Sequence, residues 1–257
     1  MNRHYNLLHT LVLLLALCFS FQAQPAGAGQ ESFSSVTARA RACGVSAETL
    51  DRVGSEVDSS ALSESDGASL LLPVIEACDL KLPLAPFEDK LAEGLFKHVA
   101  PPLIVRALQT RVEDYVFVRS LLPGPQDKID PRLIMAMGEG VSRGTPRADI
   151  AAFAAEFSKQ PAESFLIGAE MVSLLGQARF DYALTRTLLE AGFAEKALTP
   201  EWRFFIRLVL NARQRGLTDK AVAEAAAGVL AERGGLNDVY ARLGLTARSL
   251  TGRPNSN

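Results

Sequence analysis

Glycine and proline recur at helix-length intervals along this chain, and no alternating apolar–polar strand pattern follows residue 28. The chain is therefore confined to short helices joined by tight turns. The clearest instance is Leu91-Ala92-Glu93-Gly94-Leu95-Phe96-Lys97-His98, echoed 46 residues later by Met137-Gly138-Glu139-Gly140-Val141-Ser142-Arg143-Gly144. Weaker echoes lie at Arg213–Thr218 and Ala40–Ser46. The shared grammar is a helix ending in a basic residue and glycine, a capping turn, then a second amphipathic helix. Glycine accepts the left-handed conformation after a helix end, and a cation suits the negative end of the helix dipole. The expected fold is all-α, with stacked helical hairpins, about nine to eleven helices and one disulfide near the N-terminus. The turns are 54, 46 and 72 residues apart, too irregular for a strict array, so divergent α-hairpin repeats and ordinary hairpins both remain open.

Ser46 is the expected N-cap of a helix over 47–57, and the polar stretch 58–67 reads as a loop or a frayed helix. A helix over 68–78 must be kinked or delayed by Pro73. Pro101-Pro102 opens a long helix that Pro123-Gly124-Pro125 ends. Further helices are expected over 130–143, 146–157, 161–175, 179–191, 200–215, 219–233 and 236–243. The organisation is a leader over 1–28, an N-terminal helical segment with the disulfide over 29–82, a main α-helical domain over 83–250 and a disordered tail over 251–257.

The leader reads as a cleaved secretory signal: Arg3 at the start, an apolar run from Leu7 to Phe21, and Ala26-Gly27-Ala28 as a small-residue cleavage site. A membrane span wants about 20 mostly apolar residues, more than this run supplies. Lipidation at Cys18 is disfavoured by Leu17, where a small residue is expected. Membrane association is thus expected only through an uncleaved or lipidated N-terminus, and the mature chain is expected to be exported, periplasmic or extracellular. Cleavage removes His4, His9 and Cys18, leaving His98, Cys43 and Cys78. Two lone cysteines in an oxidising compartment pair most simply with each other. No C-x-x-C spacing supports a metal site, and one histidine cannot supply two ligands.

The net charge of −2 predicts no nucleic-acid partner. The charge is uneven, however: residues 30–83 carry nine acids and four bases, and residues 201–257 carry nine bases and five acids. This describes either two solvated surfaces or ends that meet different partners.

Candidate chemistry is sparse. Glu93 and Glu139 occupy matching positions in the two best echoes and could share acid and nucleophile or base roles in glycoside cleavage. The simpler expectation is salt bridges with Lys97 and Arg143, four residues on. His98 reads as a capping histidine at a helix end. Ala162-Glu163-Ser164-Phe165, followed by Gly168-Ala169, resembles the opening of the lytic transglycosylase catalytic motif, which would make Glu163 the acid. The Gly-Leu-Met-Gln element of that family is replaced by Glu170-Met171-Val172-Ser173, so the resemblance identifies no family. Trp202, Phe205, Ile206 and Val209 follow core spacing, and Phe204, Leu208 and Leu210 add apolar surface elsewhere, so this helix is expected to be buried on more than one side. No catalytic, cofactor or metal site is expected. The expected function is binding or scaffolding of another envelope protein or peptide, with the surface near Glu93, His98, Pro101 and Glu139. Carriage of an apolar ligand, walled by Phe204, Phe205 and Leu208, is the alternative. A carboxylate-dependent envelope hydrolase is a weaker one.

Overall fold

A computed structural model describes residues 31–125 and 128–245. The leader with Cys18 and the tail at 251–257 lie outside the described residues. All regular structure among the described residues is helical. Twelve α-helices run in order: α1 (Phe33–Ala42), α2 (Ala47–Asp58), α3 (Glu64–Asp79), α4 (Ala85–Phe96), α5 (Pro101–Leu121) and α6 (Pro131–Ser142). Next come α7 (Arg147–Phe157), α8 (Ala162–Gln177), α9 (Tyr182–Ala194), a 3₁₀ turn (Pro200–Phe204), α10 (Phe205–Gln214), α11 (Asp219–Ala231) and α12 (Leu236–Arg242). Twelve exceeds the expected nine to eleven, because the Ser32 cap lets the ten-residue α1 stand as a helix of its own.

Serine, threonine and aspartate side chains start many of these helices. Ser32, Ser46 and Ser63 accept backbone N–H bonds at the starts of α1, α2 and α3, as Asp130, Asp181 and Thr218 do for α6, α9 and α11. The Ser63 cap lets α3 begin at Glu64, within the stretch expected to be a loop, and Pro73 sits in the helix interior without delaying its start.

Most of the helix ends follow one pattern. After α1, Gly44 takes a φ of +87° and Val45 N–H donates back to Ala40 O. Gly144 and Gly216 do the same after α6 and α10, with Thr145 bonding Gly140 O and Leu217 bonding Ala212 O. These are Schellman ends, which satisfy the last free carbonyls. Elsewhere a basic residue takes the left-handed position: Lys81, His98, Arg179, Lys196 and Arg233 all have positive φ. The two echoed phrases thus close identically, Val99 N–H bonding Gly94 O as Thr145 N–H bonds Gly140 O.

Every substantial interface among the described residues joins helices adjacent in the chain or two α-helices apart, the largest being α1 with α3, α3 with α5, α5 with α6, α6 with α8, and α9 with α11. Helical glycines allow close approach. A Cβ on Gly138 would lie 2.7 Å from the Tyr115 ring of α5, and one on Gly140 would lie 2.6 Å from Ser173 Cβ of α8. At the N-terminal end, Cys43 and Cys78 form a disulfide with Cα atoms 5.9 Å apart, fastening the end of α1 to the last turn of α3. Glu88 of α4 accepts bonds from Ser46 and Thr49, tying α4 to the cap of α2.

The aromatic stripe is core as expected at Trp202, Phe205 and Val209, all fully buried, with Ile206 half-buried and packed against them. The span expected as one helix over 200–215 divides, because Trp202 enters the core from a 3₁₀ turn before α10 starts. Phe204 and Leu210 face solvent, which corrects the expectation of burial on more than one side.

Candidate functional site: a basic groove along α5

The inward face of α5 buries Ile104, Leu108, Val112, Tyr115 and Val118, at the three- and four-residue spacing of a core stripe. Its opposite face is left uncovered between α4 and the end of α6. The result is an open groove of about 680 Å³. Leu103, Arg106, Ala107 and Thr110 of α5 form its floor, with Lys90 of α4 on one wall and Arg143 just past α6 on the other. The lining holds four bases, Lys90, Arg106, Arg111 and Arg143, against two acids, Glu93 and Asp114.

Ion pairs hold these walls in place. Arg111 bridges Glu139 of α6 and donates to Pro86 O at the start of α4, 2.9 Å away. Tyr115 OH also donates to Glu139, at 2.8 Å, and Arg143 closes the cluster at 3.1 Å. Burial first, then the neighbouring Glu139 charge, pushes the Tyr115 hydroxyl far above its ordinary range, so it is a standing donor. Asp114, nearly buried, accepts from Ser142 at 3.0 Å and from Arg147 at 2.7 Å. Arg147 in turn lies over the Phe117 ring, 5.0 Å from its centre. Arg106 is exposed at the centre of the floor and pairs with no acid among the described residues.

The structure brings Glu93 and Glu139 to one adjoining pocket of about 230 Å³ beside Arg111. Both are held in the i, i+4 pairs their spacing predicts: Glu93 with Lys97 at 2.5 Å and Glu139 with Arg143 at 3.1 Å. Glu93 also pairs with Lys90 at 3.0 Å. The Lys97 and Lys90 ammonium groups hold the Glu93 carboxyl down at about 2. A general acid needs the opposite shift. Glu163 of the transglycosylase-like phrase is exposed and bridged to Arg132 at 2.6 Å, an ordinary first-turn acid.

The depressed Glu93 value makes a prediction. A group whose folded value is lowered stabilises the fold above its unfolded value near 4.5, and that contribution disappears as pH falls towards about 2. Carboxyl-resolved NMR is expected to place the Glu93 midpoint near 2 and to move it upward in Lys97→Met. An unmoved midpoint would remove the Lys97 bond as its cause.

His98 occupies the left-handed position after α4, and Pro101 is the first residue of α5, so both build the turn at the groove's end. Around that turn Phe96 is 81% exposed, Leu103 59% and Val99 37%. Sequence reasoning missed Arg106, Arg111, Asp114 and Tyr115. The signal was there in the small and polar run Arg106-Ala107, Thr110 and Asp114 at helical spacing, but which neighbours leave that face open is a tertiary fact. Among the described residues, Cys43, Cys78 and Asp79 are grouped closely enough to hold a cation, and the two sulfurs are joined to each other. Phe204 carries Arg203 and Arg207 stacked at 4.9 and 4.8 Å, while Phe205 and Leu208 lie in the dry core, so these three do not share one wall. No helix among the described residues is long and apolar enough to cross a membrane. No protein family matches the chain, and neither a curated protein nor a solved structure is significantly similar to it.

Proposed function

We propose that this protein is an exported binding or scaffolding component of the cell envelope that takes a protein or peptide partner in the groove along α5. The observation that carries the proposal is Arg106, a guanidinium without an acid partner among the described residues, on the floor of a 680 Å³ concavity whose other charged groups each have an ion-pair partner. Export follows from the leader, and the periplasm or extracellular space from its cleavage. The two Glu-Gly phrases are divergent copies of one hairpin, which supplies the paired helix ends that frame the groove. The rigid, ion-paired walls suit recognition, because little ordering is needed on binding.

A photo-crosslinking residue in place of Thr110, in cells, is expected to trap a specific partner. Arg106→Glu should cut the adduct about tenfold or more, since a charged hydrogen bond contributes roughly 1.5–3 kcal/mol. Adducts no different from those at exposed Lys220, or unchanged by Arg106→Glu, would refute the groove as the working surface. A second reading, carriage of a small apolar ligand, is favoured by a cavity of about 260 Å³ walled by Leu122, Leu133, Phe165 and Leu166. A native mass spectrum free of any adduct that delipidation removes would end it.

A further inference from the structure

We infer that the groove selects an acidic peptide segment carrying one aliphatic anchor residue. This rests on the groove being the binding surface, and it names what that surface recognises. The first support is charge. Lys90 pairs with Glu93, Arg111 and Arg143 both pair with Glu139, and Asp114 pairs with Arg147, so Arg106 is the floor cation with no acid partner among the described residues. The groove lining carries four bases against two acids, whereas the chain as a whole has slightly more acids than bases. A carboxylate is the complementary group, and guanidinium binds it with two parallel bonds.

The second support is an apolar pocket of about 100 Å³ that opens beside Arg106. Leu103 and Ala107, shared with the groove, and Ile104, Val99 and Gly94 form its apolar walls. The α4–α5 approach that shapes it depends on Gly94 having no side chain, because a Cβ there would lie 2.8 Å from Ile104 Cδ1. Glu93 also lines the pocket, and Lys90 and Lys97 are both bonded to that carboxylate. One aliphatic side chain fits, with a neighbouring acid of the same segment meeting Arg106.

The third support is shape. From Leu103 to Asp114 the floor runs about 16 Å, three helical turns, between walls from α4 and α6. A bilayer surface is flat and cannot enter it. A nucleic acid would want aromatic stacking surfaces, and the groove lining has none. A single amphipathic peptide segment laid in the groove satisfies both the floor charge and the pocket.

The test is fluorescence anisotropy on the mature full chain with a labelled twelve-residue helical probe. The probe carries a central leucine with glutamates on the same face. Matched probes exchange the glutamates for lysine or the leucine for serine, and phosphatidylglycerol vesicles form a further arm. The glutamate–leucine probe is expected to bind and to weaken with added salt. Its affinity should fall about tenfold in Arg106→Glu, in Leu103→Asp and on changing the probe leucine to serine. Arg215→Glu, exposed and remote, should leave it unchanged, and circular dichroism should show all variants folded. Equal binding of the glutamate and lysine probes, or binding that survives both groove variants, overturns the inference. So does vesicle binding, lost in Leu103→Asp, without peptide binding. If instead the lysine or serine probe binds and its binding is lost with the groove variants, the groove stands as the binding surface and only its acidic, aliphatic preference falls.

Discussion

Joint replacement of Cys43 and Cys78 by serine is expected to lower folding stability by about 3–4 kcal/mol, the chain-entropy value for a loop of this length. The two residues are 35 apart in sequence, and their link fastens α1 to α3. Both side chains are only half-buried, so exchanging sulfur for oxygen leaves little cavity and the loss reports the cross-link itself. Urea unfolding followed by circular dichroism, whose last transition reports this end of the chain, measures it. Reduced wild-type protein should unfold at the same midpoint as the double serine variant. A loss below about 1 kcal/mol, within the ordinary range of a surface change, would show that packing of α1 against α3 holds this end without the bond.

Trp202→Ala is expected to cost about 3–5 kcal/mol, the range for removing a large aromatic side chain from a core. Trp202 has no solvent exposure and packs at a tilt of 42° against Phe205, ring centres 5.9 Å apart, and Phe205 in turn meets Phe180 edge-on at 6.3 Å. Its ring therefore links the 3₁₀ turn to α10 and, through Phe205, to the segment after α8. Trp202→Phe should cost distinctly less. The Trp202 Nε1 hydrogen has no acceptor among the described residues, and phenylalanine removes that buried donor, a penalty of about 1–3 kcal/mol. Circular dichroism must follow these variants, since the fluorophore is gone. If the alanine variant stayed within about 1 kcal/mol of wild type, the stripe would not be the centre of the C-terminal core.

The helices and their ends were legible in the sequence because caps are local chemistry. Ser46, Gly44 and the Lys97-His98 pair act on backbone groups within a few residues of themselves. The disulfide was legible by count, since two cysteines have one pairing. Burial of Trp202 and Phe205 followed from their spacing. The exposure of Phe204 did not, because the 3₁₀ turn before α10 breaks the helical period there. The groove was half legible. Glu93 and Glu139 were marked by the echo, and the structure sets both against Arg111. That Arg111 and Tyr115 reach across from α5 depends on the α5–α6 approach allowed by Gly138, which no single segment encodes.

Interfaces limited to adjacent and next-but-one helices carry a consequence for how the molecule gives way. Nothing substantial ties α10–α12 to α1–α3, so loss of one end leaves the other with most of its own support. Among the described residues, only the first third is closed covalently. Under heat or mechanical load the chain should therefore peel from α12 inward, hairpin by hairpin, with the cystine-closed end yielding last. A protein that fails in that order keeps the α4–α6 groove intact through the early stages of damage.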